Sequence, residues 1–169
     1  MNNFINDIIK NIENLNQERN NIKSDGEWTI AVKKALIDVA DEHKLRVCSR
    51  IPEDDYKGNE IPEWMYDLII YTKPDDVFNE VHLVCESEWN LDIKEIIYDF
   101  EKLLFARSKV RLIVFQVYEE KYLEYKNTLI NIIEKSGSCL NGDIYLFAIF
   151  HLNSDPGGFV VEKYVKGEK

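Results

Sequence analysis

Residues 83–90, LVCESEWN, run an apolar segment into two glutamates one residue apart, Glu86 and Glu88, followed at once by Trp89. Side chains alternate along an extended strand, so both carboxylates project to one face while Cys85, Ser87 and Trp89 project to the other. Like charges at that spacing repel each other, so either both lie in water or something positive sits against them. A third carboxylate is as conspicuous: Asp67 stands within EWMYDLIIY, amid large apolar residues. Such a carboxylate must be paired, exposed at an edge or bound to a cation, because an uncompensated buried charge is costly. Antiparallel pairing of the two segments would bring Asp67 beside Glu86. Carboxylates that converge in this way suit a hard divalent cation, Mg2+ or Mn2+, which prefers oxygen ligands.

The elements that must position these groups follow from periodicity. Residues 1–24 carry Phe4, Ile5, Ile8, Ile9, Ile12 and Leu15 at helical spacing. Ser24, Asp25 and Gly26 interrupt the pattern as turn and cap residues, and a second amphipathic helix is expected from Glu27 to His43. A short strand over 45–50, a loop over 51–63 with two prolines and a glycine, a strand over 64–72 and a turn at Lys73–Asp76 come next. A strand over 80–89 leads to a helix over 91–107 with a stripe of Ile93, Ile96, Ile97, Phe100, Leu103 and Leu104. Residues 110–118, VRLIVFQVY, form a near-continuous apolar run, the mark of a strand buried on both faces. A helix over 119–136, a strand over 143–152 and a strand over 158–165 complete the order α-α-β-β-β-α-β-α-β-β. That order predicts an α/β fold, with one mixed central sheet flanked by helices and a single domain spanning 1–169.

Helix, three strands, helix and strand, with Asp67 on the second strand and Glu86-Ser87-Glu88 on the third, resembles the PD-(D/E)XK nuclease superfamily of the restriction endonuclease-like fold. ESEWN followed by YDFEKLL also looks like restriction-enzyme-like bacterial proteins. The resemblance covers 27–118, an αβββαβ core, and leaves 1–24 as an extra N-terminal helix and 119–169 as a C-terminal αββ elaboration. It implies a metal-dependent nuclease that hydrolyses phosphodiesters, with DNA as the expected substrate. Asp67, Glu86 and the backbone carbonyl of Ser87 would be the metal ligands. The chain departs from the family pattern where a lysine usually stands: the residue is Glu88. The resemblance offers two replacements, Glu88 itself or a lysine supplied by the following helix, Lys102, to orient the attacking water. On a helical wheel at about 100° per residue, Lys102 points nearly opposite the apolar stripe and Asp99 sits on its flank. Asp99 and Lys102 are also spaced as an ordinary i,i+3 surface pair. Glu27 resembles a helical glutamate that some members add to the site, and it equally suits a first-turn acid favoured by the helix dipole. Gln116 and His82, the latter on the Glu86 face by alternation, are further candidates to line the pocket. Trp64 and Trp89 flank the ligand positions as packing residues or substrate contacts.

Composition restrains this reading. The net charge is −10, and affinity for nucleic acid comes largely from cations at phosphates, so DNA binding should be weak unless positive charge is clustered. Arg107, Lys109 and Arg111, and Lys163, Lys166 and Lys169, are the clusters on offer. The alternative keeps the fold and drops the chemistry: an acidic binding protein, immunity- or antitoxin-like, that engages a basic partner. A nuclease domain that draws DNA affinity from a larger complex, a protein partner or a homodimer reconciles charge with site. No apolar run reaches the ~20 residues of a membrane helix. Three widely spaced cysteines, Cys48, Cys85 and Cys139, without a CxxC or a signal peptide fit reduced thiols in a cytoplasm. Phosphate-binding glycine loops, zinc-type His/Cys spacings and nucleophilic triads find no support in the chain.

Overall fold

The computed structural model describes residues 1–49, 65–154 and 157–168. Ten principal elements appear in chain order: α1 (Asn2–Asn14), α2 (Asp25–Glu42), β1 (Arg46–Ser49), β2 (Leu68–Thr72), β3 (Glu80–Glu88), α3 (Ile93–Leu104), β4 (Val110–Val117), α4 (Tyr122–Lys135), β5 (Ile144–His151) and β6 (Gly158–Val165). The strands form one six-stranded mixed sheet in the order β1-β2-β3-β4-β5-β6. β1, β2 and β3 form an antiparallel meander, β3, β4 and β5 run parallel, and β6 returns antiparallel to β5. The expected α/β class, with a mixed sheet flanked by helices, is what the chain adopts.

Two apolar layers explain the sandwich. On one face α1 and α2 bury Ile8, Ile12, Leu36 and Val39 against Ile70, Leu83, Leu112 and Leu146. On the other, α3 and α4 bury Ile96, Phe100, Leu103, Leu129 and Ile133 against Val84, Ile113, Phe115 and Phe147. β4 is therefore covered on both sides, as its unbroken apolar run demands.

The element boundaries correct the sequence expectation in several places. α1 ends at Asn14 and passes through a short 3-10 turn over Leu15–Gln17, so the helix does not reach residue 24. Asn16, within that turn, instead donates from its amide to the Phe159 carbonyl and accepts from the Phe159 N–H, bonds that fix the chain to β6. α2 begins two residues early because Ser24 is its N-cap. β2 begins at Leu68, so Asp67 precedes the strand and is not embedded within it. The largest change is in β3: opposite β2, Ile70 pairs with Leu83 and Tyr71 with Val81, which leaves one extra residue in β3. This bulge resets the alternation. His82 consequently turns toward the α1 face, its ring 6.1 Å from that of Phe4, and not toward Glu86. The loop expected over 51–63 and Trp64 lie outside the described residues. Cys48, Cys85 and Cys139 are buried and form no disulfide among the described residues.

Candidate active site

β3 leaves the core at its C-terminal end, and there the first glutamate stays inside. Glu86 is 3% exposed, on the face covered by α3. Its partner is Lys102, reaching down from the last turn of α3: Nζ donates to Glu86 Oε1 at 3.2 Å and lies 2.7 Å from Asp99 Oδ1. Lys102 thus makes the ordinary i,i+3 pair with Asp99 and at the same time touches the strand carboxylate. The wheel missed this because a lysine's long stem lets the ammonium travel several ångströms from the direction of its Cα–Cβ bond.

Asp67 is held differently. Its Oδ2 accepts from the Ser87 N–H at 2.8 Å and from Ser87 Oγ at 2.6 Å. The ladder between β2 and β3 ends at Leu68–Cys85. Asp67 thus supplies by side chain the acceptor that the next ladder residue would have offered by backbone. Its own carbonyl accepts from Ser49 Oγ at 2.8 Å, so three strands meet at this residue. The resemblance named only the Ser87 carbonyl; a charge-based reading overlooks the Ser87 N–H and hydroxyl that hold Asp67.

The electrostatics follow from this packing. Burial, then the charge of Asp67, raise the Glu86 carboxyl to about 7, while Lys102 pulls the other way. Glu88 is half-buried and accepts from the Asn90 N–H at 2.6 Å. Burial raises its pKa, the Asn90 N–H opposes that, and Asp99 and Glu95 raise it further. For Lys102 burial works to lower the pKa, but hydrogen bonding to Asp99 and the charge of Glu86 outweigh it, so the ammonium is held above its ordinary value. Tyr66 completes the corner, its hydroxyl 3.4 Å from the Lys102 carbonyl. Burial and then Glu86 push its phenol up. No spacing rule could have found it.

Other sequence candidates are placed elsewhere or put to structural use. Glu27 closes a capping box, its carboxylate accepting from Ser24 N at 3.1 Å while Ser24 Oγ accepts from Glu27 N at 3.3 Å. Gln116 donates from Nε2 to the Trp89 carbonyl and so fixes the bend that follows β3. Trp89 is buried, donates to Thr29 Oγ1 at 2.8 Å and packs near Trp28 and Phe159, a packing role. The basic alternation after α3 does not form a patch, because Lys109 pairs with Glu80 and Arg111 is buried against Asp143. Lys166 donates to the Ile133 and Ser136 carbonyls at the end of α4, and Lys169 lies outside the described residues.

Asp67, Ser87, Glu86, Lys102, Asp99 and Glu88 are thus linked by hydrogen bonds and charge at one end of β3, under α3. Among the described residues no three His, Cys, Asp or Glu side chains are grouped closely enough to hold a metal ion by themselves. The candidate donor set is two carboxylates, Asp67 and Glu86, with the backbone carbonyl of Ser87, the residue after Glu86. Mg2+ commonly binds through one or two carboxylates, keeping several waters and taking substrate phosphates, so a set of this size and hardness suits it. No helix among the described residues is long and apolar enough to cross a membrane. Comparison with family models, with curated proteins and with solved structures finds no match to this chain.

Proposed function

We propose that the chain is a metal-dependent phosphodiesterase built on the restriction endonuclease-like plan, with DNA as its substrate. The observation that carries this reading is the contact between Lys102 and the buried Glu86. A lysine that the strand motif lacks at position 88 is supplied from the next helix to the first acidic residue of that motif. The run α2, β1, β2, β3, α3, β4 supports it, as does Asp67 immediately before β2, near enough to Glu86 for its charge to raise that carboxyl.

Asp67 and Glu86, with the Ser87 carbonyl, would hold Mg2+ or Mn2+. Such an ion supplies charge at a phosphoryl oxygen and acidity toward water. The chain's own residues do the remainder. Asp99 holds the Lys102 ammonium over Glu86. Lys102 places a positive charge where the phosphate's negative charge develops, and Glu88 accepts a proton from the attacking water on the exposed side.

The test is calorimetric titration of Mg2+ and Mn2+ into the wild type and Glu86→Ala at pH 8, followed by incubation of each with plasmid DNA. A single divalent site lost in the variant, with Mg2+- or Mn2+-dependent nicking lost alongside it, is the expected result. Lys102→Ala should cut the rate by roughly 10²–10³-fold while leaving the fold intact. A wild type that takes up no divalent ion, with or without DNA present, overturns the reading. The net charge of −10 would then favour an acidic binding protein for a basic partner.

A further inference from the structure

α3 covers Glu86 with one face and turns another to water, and that outer face is patterned. Lys94, Tyr98, Lys102 and Phe105 fall within about 80° of one another at about 100° per residue. Phe105, the C-cap, keeps helical backbone angles, so the stripe runs unbroken to the end of the helix. Cation, aromatic, cation and aromatic thus alternate along the element that carries the lysine of the proposed site. Tyr98 is 68% and Phe105 73% exposed, and Lys94 is exposed as well. Lys102 ties the stripe to the chemistry: its Nζ lies 3.2 Å from Glu86 Oε1 and 5.8 Å from the centre of the Tyr98 ring. Either aromatic alone would be an ordinary surface residue. Together they set an open ring about one helical turn to each side of Lys102.

The charges around the stripe select its occupant. Glu95 and Glu101, both exposed, border it on its two sides. The chain carries −10 overall, and the cations that follow α3 form no patch, since Lys109 pairs with Glu80 and Arg111 with Asp143. Affinity for a duplex comes from cations at its phosphates, and here its second strand would lie over carboxylates. The faces of its bases are also closed off within the stack. An unpaired strand is narrow enough to follow the lysines, and it brings bare bases to the rings. Each base stacked on an aromatic side chain adds affinity without further positive charge. We propose, on the phosphodiesterase reading of Glu86 and Lys102, that the substrate is single-stranded or locally unpaired DNA. One base stacks on Tyr98, another on Phe105, and the phosphate between them meets Lys102.

Binding is measured in EDTA, where no cleavage intervenes, as the fluorescence anisotropy of a labelled oligothymidine and of a duplex of equal length. The full chain should bind the single strand saturably and at least about tenfold more tightly than the duplex. Tyr98→Ala and Phe105→Ala should each weaken single-strand binding by about fivefold to a hundredfold. Tyr98→Phe, which keeps the ring, should retain it. Both side chains are exposed, so neither change threatens the fold. With Mg2+ added, a circular single strand should be cut faster than a relaxed duplex circle, with a negatively supercoiled plasmid between them. The proposal is overturned by no saturable binding of the single strand, by duplex bound as tightly, by affinity unchanged in both alanine variants, or by relaxed duplex cut as fast. In that last case divalent uptake and nicking persist, and the phosphodiesterase reading stands without this one. Preferential single-strand binding that depends on both rings, in a chain that takes up no divalent ion, would support the stacking surface and sink the catalytic reading instead.

Discussion

Glu86 keeps its proton to about 7 because the strand that carries it runs under α3, out of water and within reach of the charge on Asp67. Unfolded, the same carboxyl releases its proton near 4.5. Between those values the folded state binds more protons than the unfolded one, so stability falls as pH rises through that window and levels off above it. Thermal unfolding followed from pH 4.5 to 8 should show this decline in the wild type and lose about 1–3 kcal/mol of it in Glu86→Gln. At the proposed cation site the ionised form is the one that binds, so Mg2+ affinity should climb steeply between pH 6 and 8. The carboxylates themselves were legible in sequence, since Asp67 amid apolar residues and Glu86 at a strand's end are out of place unless something holds them. Their partners were not. Ser87 takes Asp67 because β2 begins at Leu68, four residues later than expected, and Lys102 reaches Glu86 through the flexibility of its own stem.

At the scale of elements, caps and bulges decide which residues face the site. Ser24 and Glu27 satisfy each other's backbone at the start of α2, so Ser24→Ala should cost about 1 kcal/mol, read as a lower denaturant midpoint. Glu27→Ala should likewise lower the midpoint and leave any divalent-ion binding unchanged, which separates its capping role from the ligand role that its position suggested. On the other side of the sheet Phe100 is fully buried between α3 and the β5 aromatics Tyr145 and Phe147. Phe100→Ala should therefore cost about 3–5 kcal/mol in chemical denaturation. Because α3 carries Lys102 and Asp99, the same variant should also loosen the contact with Glu86. Helix and strand types were readable throughout from period and cap residues. The bulge in β3 was not, because nothing in EVHLVCESE marks which residue will be the extra one. Its consequence was large, moving His82 to the opposite face.

For the whole molecule, the exposed rim of the sheet is guarded on the β6 side. Asn16 pairs with both the N–H and the carbonyl of Phe159, and Glu13 accepts from Val161 N at 3.2 Å, so side chains occupy positions that another strand would use. Asn16→Ala should cost about 1–3 kcal/mol and raise the tendency to self-associate, which sedimentation velocity over a concentration series would detect. Gly158 is fitted to the same arrangement: at φ +148° a Cβ would lie 2.3 Å from Asn16 Oδ1, so Gly158→Ala should destabilise by a comparable amount. The six-stranded mixed sheet was legible as a class, because alternating strands and helices with one doubly buried strand leave few other solutions. The latch was not, because its partners are 143 residues apart. That separation bears on how the chain is made. α1 leaves the ribosome before any other described element, yet the strand that receives Asn16 and Glu13 is the last of the six to emerge. The helix can rest on α2 as soon as that element emerges, but its seam with β6 closes only when the last strand is made, so the final latch is a late event and the edge it covers stays open to holdase chaperones until then.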